Sequence, residues 1–261
     1  METFLLCKPD FFRVEYSINP WMGDVEVDYA LANRQWKNLS ETIKSLGAAV
    51  KLIDPVEKYP DMVFTANSGF VVDNKVILSR MKHDVRKGET AYFERWFADH
   101  DYDIVHLAPG ISFEGRGDCL LYDDVLIGGY GYRTDRKAIE IIADVLGIEY
   151  FDLKLTDPRF YHLDTCFCKV SRDTAIYYPG AFLKSDIKKL KSHINLIPIT
   201  EQDARLFMCN SMLVSDILLI PDSHSEISRL LRNHHGIKTC FVDVSEFLKS
   251  GGSIQCLSLK I

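Results

Sequence analysis

The stretch VFTANSGFVVDNKVILSR, residues 63–80, decides the fold. It reads as a pair of strands around a tight turn at Asp73-Asn74, residue types that accept hairpin backbone angles. The same grammar returns three times. DCLLYDDVLIGGYGY (118–132) turns at Asp123-Asp124, TCFCKVSRDTAIYYPG (165–180) at Ser171-Arg172-Asp173, and NSMLVSDILLIPD (210–222) at Ser215-Asp216. Short apolar runs precede these hairpins: AAVKLID (48–54), YDIVHLA (102–108), IEYFDLKL (148–155) and INLIPIT (194–200). A fifth run, KTCFVDV (238–244), precedes SIQCLSLKI.

Helical patterns lie between the hairpins. DYALANRQWKNLSETIKSLG (28–47) is amphipathic and ends in glycine, a normal C-terminal signal. GETAYFERWFADH, DRKAIEIIADVLG, KSDIKKLKSHI and HSEISRLLRNHHG follow. The chain therefore predicts an α+β fold of five units of about 50 residues, each a run, a hairpin and a helix. One such unit cannot bury its own apolar face, so the units pack around a shared centre. SIQCLSLKI lacks a local partner, and the N-terminal FLLCKP is expected to pair with it and close the ring. No linker or low-complexity segment interrupts the pattern, so residues 1–261 read as one closed domain.

Bulk properties narrow the function. At 47% hydrophobic, 261 residues supply a sizeable core. The net charge of −6 argues against a nucleic-acid surface, and the lysine-rich segment near 184–191 reads as a solvated helix face. No apolar stretch reaches membrane-spanning length, and METFLLCKPDFF lacks the basic start and cleavage site of a signal peptide. With seven cysteines, an odd number, a reduced cytoplasmic protein is expected. Cys166 and Cys168 lie near His162, but C-x-C is the wrong spacing for a zinc knuckle. In TCFCKV the two share one strand face and read as core.

Four stretches break the apolar pattern at equivalent places: PDMVFTANSG (60–69), SFEGRGDC (112–119), FYHLDTCF (160–167) and GGSIQCLS (251–258). The repeat carries Asp61, Asn67, Glu114, Asp118, His162, Asp164 and Cys256 towards one axis. A thiol titrates about two units above histidine and needs help to ionise at neutral pH. His162 can supply a positive charge or shuttle a proton, and Glu114 can orient it. Asp118 and Asp164 suit a planar guanidinium, which carboxylates match bidentately. The set points to attack on a guanidinium carbon. Zinc hydrolysis fits less well, because the histidines do not cluster. Each residue also has a plain structural reading: Cys256 as strand packing, His162 as a hydrogen-bonded core histidine, Glu114 to Asp118 as a loop with its own ion pair. Asn67 and Asp61 can be turn residues. All of these being plain at equivalent places in a repeat is the weaker account.

PDMVFTAN, FEGRGDC, GYGYRTD, YHLDT and GGSIQC together resemble the guanidine-modifying enzymes of the pentein, or α/β-propeller, fold, over nearly the whole chain. These include arginine deiminases, dimethylarginine dimethylaminohydrolases, amidinotransferases and arginine dihydrolases. The resemblance implies a five-fold pseudosymmetric propeller of ββαβ-type units around a central site. It implies Cys256 as nucleophile through a thiouronium intermediate, His162 as acid then base, and Glu114 as the residue that holds His162 and substrate. It implies Asp164 as guanidinium ligand, Asp118 as its support, and Arg133 with Arg80 as the grip on the substrate carboxylate. No cofactor or metal is implied.

Departures from the deiminase pattern narrow the choice. Phe64-Thr65-Ala66-Asn67 stands where deiminases carry an aspartate, FEGRGD is one residue longer than EGGD, and Gln255 replaces a common histidine. EYSINPWM (15–22) resembles a segment of arginine dihydrolases, which release ornithine, carbon dioxide and two ammonia. Asn67 and Asn19 are expected to favour a second hydrolysis by holding a neutral ureido product. Arginine dihydrolysis is thus the expected activity, ahead of deimination, amidino transfer or arginine binding without turnover. The expected partner is arginine or a derivative. Homo-oligomerisation is expected on general grounds. Cys256 lies five residues from the end of this sequence, and a single domain without the C-terminal extension of some dihydrolases is expected.

Overall fold

A computed structural model describes residues 1–261. Near the N-terminus β1 (Thr3–Cys7) runs parallel to β2 (Ala49–Ile53). Three strands follow as one sheet: β3 (Gly69–Val72), β4 (Lys75–Leu78) and β5 (Asp103–Val105). The next sheet holds β6 (Cys119–Tyr122), β7 (Val125–Tyr130) and β8 (Glu149–Lys154). Then come β9 (Phe167–Lys169), β10 (Thr174–Tyr177) and β11 (Asn195–Pro198), and after them β12 (Met212–Val214), β13 (Ile217–Ile220) and β14 (Lys238–Phe241). Finally β15 (Leu259–Lys260) returns antiparallel to β1, with Leu259 opposite Leu5 and Lys260 opposite Phe4. The two chain ends thus share one sheet and close the ring, as FLLCKP and SIQCLSLKI predict.

Every sheet has three strands: an antiparallel pair, and a third strand parallel to the middle one. A parallel neighbour requires a crossover, and a helix supplies it each time. These helices are Tyr29–Ser45, Glu89–Ala98, Arg136–Leu146, Lys184–Leu190 and Glu226–His235. The Asp28 side chain caps the first by accepting from the Leu31 amide, and Gly147 and Gly236 close two others in the left-handed region. The apolar run before each hairpin belongs to the preceding sheet: YDIVHLA supplies β5 beside β4, not beside β6. The unit is therefore hairpin, helix, strand. A run-first reading places the boundary one strand early, because a cyclic repeat looks the same from any start.

Hairpin turns work as their residue types suggest. Asp73, Asp123 and Ser215 take left-handed angles, with φ of 53°, 49° and 55°. Cys166 and Cys168 are buried in one apolar cluster with Phe167, and all seven cysteines are free thiols. No helix is long and apolar enough to cross a membrane.

Apolar side chains gather into four clusters around the ring, which leaves its middle to polar groups. A single tight turn precedes each innermost strand: Thr65–Ser68 before β3, Gly115–Gly117 before β6, Leu163–Thr165 before β9 and Met208–Asn210 before β12. Residues 254–257 form the corresponding turn before β15. The turns press together closely. Gly115 has φ of +63°, and a Cβ there would lie 2.6 Å from the Ala66 carbonyl oxygen, so only glycine fits.

Candidate active site

These turns present the polar residues. Cys256 is 2% exposed, and its Sγ lies 3.3 Å from Asp164 Oδ2. Asn210 wraps the same residue. Its Nδ2 donates to Cys256 Sγ at 3.1 Å and to the Asp164 carbonyl at 3.0 Å, while its Oδ1 accepts from the Cys256 and Ser253 amides. Burial first, then the Asp164 charge, raises the Cys256 thiol well above its ordinary value. Burial also pushes Asp164 up to about 7, against hydrogen bonds from Cys256 and Asn210. Burial and the carboxylate charge both favour the protonated form of the thiol.

His162 follows the same design. Its Nε2 lies 2.8 Å from Glu114 Oε2 and 3.9 Å from Asp118 Oδ2, while Nδ1 has no partner. Glu114 also receives Arg133 at 2.8 Å and the Lys82 amide at 3.0 Å. Burial works to raise Glu114, but Arg133 and His162 outweigh it and hold the carboxyl well below its usual range. Asp118 is pushed up to about 6 by burial, which the nearby His162 offsets in part. One Asp118 oxygen accepts from the Leu163 amide at 3.0 Å. Two carboxylates near one imidazole thus differ: Glu114 is firmly ionised, and Asp118 titrates close to neutrality.

Asn19, Asp61, Asn67, Arg133 and Cys256 line one small cavity. Arg133 stacks 4.6 Å over the Tyr161 ring and donates to Glu114 and to the Ile18 carbonyl. Two of its five N–H donors are used, which leaves three for an anion. Asp61 accepts from Tyr16 and Ser250. Asn19 bonds to backbone: Oδ1 accepts from the Trp21 and Met22 amides, and Nδ2 donates to Ser250. Its amide holds the strap of residues 15–22 across the cavity, and one of the two Nδ2 hydrogens is left unspent on a residue that lines it. Trp21 fixes the strap with an indole bond to the Arg159 carbonyl at 2.5 Å.

Arg80 corrects the sequence reading. It lies exposed at the end of β4, with its backbone paired to Phe113, and lines no part of the cavity. The second arginine of the site is Arg86, six residues on. Its guanidinium is buried in a fork with Glu89, both contacts at 2.8 Å. It also donates to Asn67 Oδ1 at 2.9 Å and to the Asp61 carbonyl at 3.1 Å. Burial opposes its charge, but Glu89 and Asp61 prevail and raise it above its usual value. The i,i+3 pair in DVRKGE was the available signal. Asn210 had a signal too: CNSM repeats the ANSG of residues 66–69 one turn before its own hairpin.

Asn67 has a fixed orientation. An arginine only donates, so the oxygen of Asn67 must face Arg86 and its NH2 group must face away. That Nδ2 is buried without a partner beside Gly117, where a Cβ would come within 2.6 Å of it and 3.3 Å of the His162 ring. The site thus offers a free amide donor next to the imidazole.

Five ββαβ units around a polar centre make a pentein propeller. The chain belongs to the family of eukaryotic N,N-dimethylarginine dimethylhydrolases, whose model matches residues 17–261. It is 40% identical, over 98% of its length, to the bifunctional arginine dihydrolase/ornithine cyclodeaminase ArgZ of Synechocystis sp., and covers 37% of that protein. It is 36% identical to the N(G),N(G)-dimethylarginine dimethylaminohydrolase of Mycobacterium tuberculosis, covering 99% of this chain and 85% of that one. The crystal structure of the N-terminal domain of ArgZ bound to substrate superposes with a TM-score of 0.96 at 38% identity, covering 100% of this chain and 98% of that one. The chain spans little more than a third of the length of the cyanobacterial relatives it matches.

Proposed function

We propose that residues 1–261 form one catalytic domain that hydrolyses free arginine twice, to ornithine, carbon dioxide and two ammonia. The observation that carries this reading is the orientation of Asn67. A guanidinium carries only N–H donors, whereas the ureido group of citrulline adds a carbonyl acceptor. The free Nδ2 of Asn67 can serve that acceptor and hold the first product for a second attack. Identity with the arginine dihydrolase relatives over nearly the whole chain supports it.

The chemistry follows from the charges. A cationic guanidinium seated against Asp164 offsets the two influences that keep Cys256 protonated, burial and the carboxylate charge. The thiol proton passes to solvent, to be regained at the end of the cycle, and the thiolate adds to the guanidinium carbon. One amino group leaves as ammonia with a proton from His162, and the thiouronium remains. Water, deprotonated by His162, releases citrulline and restores the thiol. A second attack on the ureido carbon expels the second ammonia and leaves an S-carbamoyl link. Its hydrolysis gives the carbamic acid of ornithine, which loses carbon dioxide. Arg133 and Arg86 hold the substrate carboxylate, with Arg133 offering more free donors. Glu114 keeps the imidazole placed.

A second reading takes a methylated arginine as substrate and stops at citrulline. The family model and the 36% identical mycobacterial relative favour it. Amino-acid analysis with an ammonia assay separates the two. Ornithine with two ammonia per arginine supports the dihydrolase. Citrulline with one ammonia, or turnover of dimethylarginine alone, overturns it, and dependence on an added amine would mean amidino transfer. Cytoplasmic placement fits seven free cysteines.

A further inference from the structure

Behind the catalytic turns lies a larger cavity of about 490 Å³. It runs along the ring axis between β15, β3, β6, β9 and β12, and none of its lining residues lines the small cavity of Cys256. Asp164 and Gln255 form the wall between the two. Three cations reach this space: Arg116, Lys169 and Lys260. Lys260 is answered by Glu2 at 2.6 Å, and Glu2 also accepts from the Ser215 amide. Arg116 and Lys169 have no answer. Neither side chain joins a hydrogen bond or ion pair in the protein, and the Lys169 ammonium has only the face of Tyr122 at 4.3 Å. Asp164 lies beyond ion-pairing distance of Arg116.

Arg116 and Lys169 are each half-buried along this cavity, where a cation partly withdrawn from water is normally paired. Burial lowers Arg116 from its usual value, and Asp164 offsets this only in part. Burial lowers Lys169 too, with Lys260 and Arg116 adding repulsion against the help of Asp123. Arg116 is also the residue in FEGRGD that lengthens the loop beyond EGGD, and it sits in the middle of the turn before β6. Five unspent N–H donors in a fixed fork beside a lysine form a receptor for a planar or tetrahedral oxyanion. The remaining walls, Phe70, Leu120, Phe167 and Leu213 among them, are apolar.

We propose that the axial cavity is a second binding site, which takes a small molecule with a carboxylate or phosphate head between Arg116 and Lys169. The binding assignment does not depend on the reaction catalysed, and only the ornithine control rests on the proposed function. The test titrates the purified full chain with inorganic phosphate and, separately, with butyrate, at ionic strength held constant with sodium chloride, and reads calorimetric binding and Tm. Saturable binding of one probe is expected, at least tenfold weaker in Arg116→Gln and weakened also in Lys169→Gln. Which probe saturates identifies the head group. Without added anion, Arg116→Gln should have a higher Tm than the parent, since it removes an unpaired cation. Ornithine at saturation should leave the binding unchanged, because it occupies the other cavity. No saturable binding of either probe overturns the proposal. So does binding that ornithine displaces, or that survives in Arg116→Gln. A fall in Tm for Arg116→Gln without anion would mark Arg116 as a structural group and overturn it equally.

Discussion

Asn67 and Asn210 occupy matching places in two of the five units, each in the turn before an innermost strand and each followed by serine. Both are buried, but their partners differ. Asn210 makes four side-chain contacts, to the Asp164 carbonyl, the Cys256 thiol and the amides of Ser253 and Cys256, and its backbone carbonyl also accepts from the Gln255 amide. Asn67 makes one side-chain contact, to Arg86, and leaves its NH2 group free. One asparagine is saturated and holds Cys256. Its counterpart is half-saturated and lines the small cavity. A propeller repeat supplies the same backbone niche five times, and the neighbours decide whether a side chain becomes scaffold or ligand.

Changes in the wall that Asn210 and Cys256 share should have the largest effects. Asp164→Asn removes the carboxylate that a guanidinium needs, so kcat/KM should fall by about three orders of magnitude, in line with truncation of a buried charge pair. Its pH behaviour gives a second readout. Folded Asp164 keeps its proton up to about 7, whereas an unfolded aspartate releases it near 4. Between these values the folded state binds more protons, so stability falls as pH rises through that window. Parent kcat/KM should drop about tenfold per pH unit below 7, and Asp164→Asn should lose that limb while gaining Tm at pH 8. An unchanged acidic limb in the variant would assign it to another group.

Asn210→Ala should come next, with kcat down about 100-fold from lost hydrogen bonds to a developing thiolate and little change in KM. Asn210→Asp is the sharper test of the comparison. It keeps an acceptor for the Cys256 amide but places charge beside the sulfur, so the alkaline shift in the rate of thiol alkylation should exceed that of the alanine variant. Equal pH profiles for the two variants would reduce Asn210 to packing.

At Asn67 the expected change is in product rather than rate. Asn67→Asp replaces the free donor with an acceptor and a charge. Citrulline should then accumulate while its formation slows by less than about tenfold, read by amino-acid analysis over time. Ornithine as sole product would overturn the role given to the free Nδ2. This effect separates the two asparagines, since no Asn210 variant should change the product ratio.

How much of this was legible beforehand depends on the kind of signal. The hairpin turns and apolar runs carry the ring, because strand pairing and tight turns have local requirements that Asp73, Asp123 and Ser215 meet. Cys256, His162, Glu114 and Asp164 stand out because thiol, imidazole and carboxylates recur at one place in a repeat. Asn210 shows only as an echo of ANSG in CNSM, since asparagine before a hairpin reads as a turn residue and its four side-chain contacts exist only in three dimensions. The vacancy around Arg116 is invisible for the same reason: a sequence displays a charge but not the absence of its partner. Asn19 looks like a ligand in EYSINPWM, yet backbone amides take up its side-chain oxygen.

The arginines provide the smallest effect and the cleanest control. ILSRM places Arg80 at the end of a strand that leads to the site, which is where a carboxylate grip is expected. Val76, Ile77, Leu78 and Ser79 are all buried, and Arg80, two residues past β4, is left in solvent. The short helix Asp84–Lys87 then carries the chain back, and Arg86 enters the site from there, anchored by Glu89. Arg80→Ala should leave kcat and KM within about twofold, as exposed substitutions generally do. Arg86→Lys cannot keep the fork to Glu89 and the bond to Asn67 together, so KM for arginine should rise about tenfold or more. It should also leak some citrulline, because Asn67 is then free to turn its oxygen towards the substrate. A raised KM in Arg80→Ala with none in Arg86→Lys would reverse the assignment and restore the strand end as the carboxylate grip.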